Sequence, residues 1–182
     1  MPIRRSPKGI DETAAKEICD RLQHRLTALL DLGLTLKHVH WNVVGPSFIG
    51  VHKMLDPQVD AVREMSDATA ERMAILGGAP IGTPGFIVND RSWTDYSIGR
   101  AGSLEHLAAL DLAYDGVIGG HRAAIAEFDS LDPVTQDMLI GQVEKLELFQ
   151  WFVRAHLEDS GGHLVHEGAT TEAEAAEAAR AS

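Results

Sequence analysis

The chain has 182 residues, 45% hydrophobic and 24% charged, with a formal net charge of −11 at pH 7. That length suits one domain with an ample core, and no apolar run approaches the roughly 20 residues that span a bilayer. The acidic balance opposes non-specific nucleic-acid binding by the folded body, and the single cysteine, Cys19, excludes an internal disulfide and a thiolate metal cluster, leaving nitrogen and oxygen as metal ligands.

Residues 1–10 carry Arg4, Arg5 and Lys8 with no acid among them and lack the apolar stretch of a secretory leader, so they read as a basic N-terminal arm on a cytoplasmic protein. From Asp11, a good N-cap, to about Trp41 the residues Ala15, Ile18, Leu22, Leu26, Leu29, Leu36 and Val39 recur at helical spacing. Cys19 sits in that pattern as a small semi-buried side chain. Gly45-Pro46 breaks the helix, Ser47 can cap the next, and a second helix runs to about Leu76, with Pro57 predicting a kink near Lys53 to Asp56. Between Gly77 and Gly102 lie six glycines, Pro80 and Pro84, so this stretch reads as a long crossover in which Trp93 to Ile98 is the segment able to form a short helix. A third helix spans about Ser103 to Leu131, and a fourth opens with Asp132 as cap and Pro133 at its first position and ends before Gly161-Gly162.

Four long helices with one long crossover after the second predict an all-α, ferritin-like four-helix bundle over residues 11–160. Residues 161–182 are expected to be a flexible tail; its Ala/Glu-rich stretch from Gly168 reads as disordered or a frayed helix, and His163, His166 and Glu167 just before it offer a metal group but read better as solvated. His24, His38, His106, His121 and His156 read as packed or surface histidines.

The second helix carries the chemistry. His52/Asp56 and Asp67/Glu71 are i, i+4 pairs, each able to grip one ion, and they mirror each other about a point between Ala61 and Val62. At about 1.5 Å rise per residue the pairs stand roughly 22 Å apart, whereas metal–ligand bonds are roughly 2.0 to 2.6 Å long. One copy cannot close the site. Two antiparallel copies about a two-fold axis can, and His40 at the end of the first helix adds an imidazole. Such a mixed His/carboxylate set suits iron(II), with manganese and zinc as competitors. The intra-bundle di-iron alternative needs Glu-x-x-His on two helices, and no glutamate here has histidine at i+3.

The run from Leu36 to Gly77, with Lys37-His38-Val39-His40-Trp41-Asn42, Gly50-Val51-His52-Lys53-Met54-Leu55-Asp56 and Asp67-Ala68-Thr69-Ala70-Glu71-Arg72, closely resembles the Dps family of mini-ferritins. The likeness extends more weakly over residues 11 to 160, including Asp90-Arg91-Ser92-Trp93 and Phe149-Gln150-Trp151-Phe152. The resemblance implies a hollow shell of twelve subunits, a homododecamer. At its two-fold interfaces His40, His52 and Asp56 of one subunit and Asp67 and Glu71 of its partner would form two-metal ferroxidase centres. It further implies oxidation of iron(II), preferably with hydrogen peroxide, and storage of the ferric mineral, which protects DNA from oxidative damage.

Trp41, beside His40, is a candidate electron donor; packing the first helix on the second is the compatible alternative. Relatives of this kind also bind DNA through basic tails. Here Arg4, Arg5 and Lys8 are candidate DNA contacts, which would make the protein nucleoid-associated, while Glu172, Glu174 and Glu177 in the tail repel phosphate. The rival function is a nucleoid-associated structural protein whose metal site is idle or holds zinc.

Overall fold

The computed structural model describes residues 6–181. Arg4 and Arg5 of the basic arm lie outside them, and Lys8 is exposed in a turn. The long helices are α1 (Glu12–Asn42), α2 (Phe48–Ile75), α4 (Ser103–Phe128) and α5 (Pro133–Arg154); shorter ones are α3 (Pro84–Asp90) and α6 (Glu172–Ala181). No helix among the described residues is long and apolar enough to cross a membrane.

Each long helix buries one stripe. On α1, Ile18, Leu22, Leu26, Leu29, Leu32 and Leu36 are buried at three- and four-residue steps; Val51, Leu55, Val59, Val62 and Met65 do the same on α2. Leu29, Leu32, Leu36 and the α2 residues form the central core with Leu107, Leu110 and Tyr114 of α4 and Val143 and Leu146 of α5, while Ile18, Leu22 and Leu26 pack in a second cluster with Met73, Leu76, Phe128 and Leu139. The predicted boundaries hold where local chemistry sets them. Asp11 caps α1 by accepting the Ala14 N–H at 2.8 Å, and Asp132 caps α5 with Pro133 in its first turn. Gly45 turns the chain between α1 and α2 with φ of 102°, a conformation that glycine adopts without strain. Ser47 stands at the N-cap of α2 but makes no side-chain capping bond.

Two expectations change, while helix α2 continues as one α-helix through Pro57. Pro57 removes the donor for the Lys53 carbonyl, and both residues are exposed, so water can replace that bond. The short crossover helix is α3, with Pro84 in its first turn, while residues 93–98 are irregular. Trp93 is instead spent on α1, where its indole N–H donates to Asp31 at 2.6 Å. The crossover is strapped along α1 by the reciprocal bonds of Gln23 with the Ile81 backbone (2.8 and 2.9 Å) and by Thr27 to Asp90 (2.7 Å). A two-residue parallel pairing, β1 (Val43–Val44) with β2 (Ala101–Gly102), then ties the end of α1 to the start of α4.

The second change is the C-terminal segment, expected to be flexible. Helix α5 ends at Arg154, and the chain then folds back through a Glu158–Leu164 bridge and closes with α6. His166 is buried rather than solvated, with Nε2 3.0 Å from Asp111 Oδ2. Ala175, Ala176 and Ala179 are buried, and Arg180 pairs with Glu105 at 2.6 Å. An isolated ten-residue helix is marginal in water, so packing on α4 is what holds α6. Replacing Ala176 by glutamate buries a charge in that seam. Hydrogen exchange should then accelerate on the order of a hundredfold for residues 172–181 while the four long helices keep their protection; unchanged protection of α6 would contradict the packing.

Candidate metal centre

The last turn of α1 and the first three turns of α2 meet beside the Gly45-Pro46 turn. That juxtaposition brings His40, His52 and Asp56 together, with one ligand atom of each within 4.8 Å of the others. The His40 and His52 rings stack with centroids 3.6 Å apart, and Phe48 flanks His52 at 5.0 Å. Nδ1 of His52 lies 2.9 Å from the His40 carbonyl oxygen. A carbonyl can only accept, so Nδ1 carries the proton and Nε2 keeps the lone pair that a metal needs.

His40 is buried. Its Nε2 approaches Asp56 Oδ1 to 2.9 Å, yet the nitrogen has no partner in hydrogen-bond geometry. The contact is close but misaligned, as expected of two ligands converging on a third body rather than on each other.

Lys37 was not legible as part of this group, although it precedes His40 by three residues and shares its helix face. Its Nζ stands 3.2 Å from Asp56 Oδ1 and 3.5 Å from His40 Nδ1. The Lys37 ammonium, followed by His40, holds the Asp56 carboxyl below the usual carboxylate range against an opposing desolvation effect. Asp56 is therefore ionised throughout the neutral range and loses its charge only as pH falls through that depressed pKa.

Asp67 and Glu71 are not brought to this group. They sit farther along the same unbroken α2, exposed, with Asp67 about 16 Å beyond Asp56 at the helical rise. At about 100° per residue, however, 52, 56, 67 and 71 fall within an arc of roughly 100°, so both pairs look out from one side of α2. That side opens on a groove lined by Lys37 and Trp41 of α1 and by Arg63 and Asp67 of α2. Leu34 and Trp41 are 65% and 72% exposed there. Trp41 thus does not pack α1 on α2 within the subunit. In the C-terminal segment His163 is exposed and His166 is committed to Asp111, so the two do not form a metal group.

An antiparallel-paired four-helix bundle with a long second connection and a His/carboxylate group on its helices defines the ferritin class, and the ferritin-like domain family matches residues 19–160. A "DNA protection during starvation protein" of Mycolicibacterium smegmatis is 56% identical over 172 residues, 94% of each chain. The solved structure of Mycobacterium smegmatis Dps is 55% identical and superposes with a TM-score of 0.90 over 92% of this chain and 95% of that one. DpsA14 from Streptomyces coelicolor is 58% identical with a TM-score of 0.88, covering 90% of this chain and 98% of that one. The chain belongs to the Dps family of ferritin-like proteins.

Lys37 occupies the oxygen that a metal at Asp56 would use, and a divalent ion there would feel its like charge at close range. Replacing Lys37 by methionine should tighten cobalt(II) binding roughly tenfold at low ionic strength, less in high salt. In the same variant the Asp56 carboxyl should titrate nearer its ordinary range, moving the acid loss of metal binding to higher pH. Weaker cobalt binding in the variant would show instead that Lys37 organises the ligands.

Proposed function

We propose that this protein oxidises iron(II) at centres shared between two subunits and stores the ferric product inside a homododecameric shell, protecting DNA from oxidative damage. The observation that carries this reading is the half-site: His40, His52 and Asp56 converge, with His40 Nε2 buried and without a hydrogen-bond partner, and no further His, Cys, Asp or Glu among the described residues completes a set there. In the proposed assembly Asp67 and Glu71 of a second copy, antiparallel across a two-fold axis, supply the missing carboxylates. The exposed Leu34 and Trp41 face gives such a partner an apolar surface to cover.

Iron is the substrate. Two iron(II) ions give one electron each to hydrogen peroxide, which takes two protons and leaves as two waters, so no free one-electron product forms. The protein's part is to hold the ions close: neutral imidazoles suit iron(II), and carboxylates favour the harder ferric ion as charge builds. Trp41, exposed beside His40, is in place to give up an electron when only one iron is present. The rival reading is a structural DNA-binding protein with an idle or zinc-filled site; the His52 tautomer would serve zinc equally, and peroxide-dependent oxidation of iron(II) separates the two.

DNA is a second proposed partner, reached through the arm bearing Arg4, Arg5 and Lys8 and supported by the name of the Mycolicibacterium smegmatis relative. Twelve weak arms on one particle gain by avidity, against the acidity of the body. If this is right, a gel shift seen at low salt disappears on removing residues 1–9; retention of the shift by the truncated particle would assign binding elsewhere.

For iron, the assembled protein is loaded anaerobically with iron(II), peroxide is added, and ferric absorbance is followed. His52→Ala and Asp67→Ala should each slow oxidation by at least about tenfold, a typical cost of losing a metal ligand or its support. Wild-type rates in both variants would remove the enzymatic reading.

A further inference from the structure

A cavity of about 370 Å³ lies between α1, the crossover and α4, with the first turn of α6 at its rim, a size that small organic ligands fill. Leu32 of α1 and Leu112 and Val117 of α4 form an apolar wall, and Trp93 and Tyr96 of the crossover face the same space. It shares no lining residue with the His40, His52 and Asp56 group.

Arg25 also lines the cavity, and its guanidinium makes no hydrogen bond or ion pair among the described residues. The carboxylates near it are committed elsewhere. Glu127 pairs with Arg21, and Asp90 accepts from Thr27 at 2.7 Å and lies 3.2 Å from His24. Gly120 makes the placement feasible, because a Cβ there would collide with the guanidinium. A half-buried cation denied a partner is costly, and burial accordingly lowers the Arg25 pKa.

The other charged residues on the wall are acids. Asp31 has both oxygens occupied, by Arg91 at 3.1 Å and by the Trp93 indole at 2.6 Å. Glu172 on α6 is pushed up to about 7 by burial and by Asp31. A ligand with one negative charge can therefore satisfy Arg25, whereas a second charge would meet Asp31 and Glu172.

From this arrangement we infer that the cavity binds a small monocarboxylate with a flat apolar body, its carboxylate paired bidentately with Arg25 and its body lying against Leu32, Val117 and Trp93. A planar guanidinium and a carboxylate match in such a fork, and the apolar wall rewards a hydrocarbon ring.

The probe is 2-naphthoate, titrated into the assembled full-length protein by equilibrium dialysis, with its own fluorescence as a second readout. One saturable site per chain is expected. Affinity should fall roughly tenfold or more in Arg25→Gln and for the uncharged 2-naphthylmethanol, and binding should vanish in Val117→Trp, which fills the cavity and keeps Arg25. His52→Ala, with the metal group altered, should bind normally. Absence of saturable uptake, or equal affinity in Arg25→Gln or Val117→Trp, would overturn the assignment without touching the proposed iron chemistry.

Discussion

Helix α2 is continuous from Phe48 to Ile75, and that continuity fixes where every proposed ligand stands. A continuous helix cannot fold its own residues 56 and 67 together, because each intervening residue adds about 1.5 Å along the axis. The helix is held at both ends. Near its start, the His52 ring is bonded to the His40 carbonyl and stacked on the His40 ring. Near its end, Arg72 reaches Thr135 at 2.9 Å and Asp132 at 2.5 Å, the same aspartate that caps α5. Such a charge-assisted network, buried at Asp132 and Thr135, resists rearrangement, since removing one partner strands the others. The consequence is that Asp67 and Glu71 cannot join His40, His52 and Asp56 within one subunit.

A second buried network orders the other end of the bundle. Asp111 on α4, almost wholly buried, receives Arg154 Nε at 2.7 Å, Gln150 Nε2 at 2.9 Å and His166 Nε2 at 3.0 Å. These three donors come from α5 and from the segment after it, so one carboxylate joins α4, α5 and the C-terminal return. A buried charge is tolerable when its lone pairs are filled, and here they are. The return places α6 along α4, and that in turn sets Glu172 at the rim of the Arg25 cavity.

What the sequence discloses is governed by range. Asp11, Gly45-Pro46, Asp132 and Pro133 act on their own backbone neighbourhood, so the ends they mark are legible. The i, i+4 pairs on α2 are legible for the same reason, as is the impossibility of closing the site in one copy. Trp93 misleads because its tertiary bond to Asp31 decides its conformation, while the weaker local signal of Pro84 at a helix start proves sufficient for α3. The C-terminal segment misleads because its composition reads as a solvated tail. Its alanines find a groove on α4, and His166 finds Asp111, 55 residues away in the chain. Lys37 is hidden differently: a lysine on an exposed helix face is common, and only the approach of Asp56 from α2 shows that it sits against the ligands.

The central claim is that one functional centre draws ligands from two copies, and mixed assemblies test it most directly. His52→Ala subunits and Asp67→Ala subunits are dissociated, mixed in equal amounts, reassembled, and assayed for peroxide-dependent iron(II) oxidation. If the ligands come from both sides of a two-fold axis, each mixed pair contains one site with every residue intact, and random pairing restores about a quarter of the wild-type sites. If each subunit houses its own complete centre, every subunit in the mixture is defective, and the activity stays at the level of the parent variants.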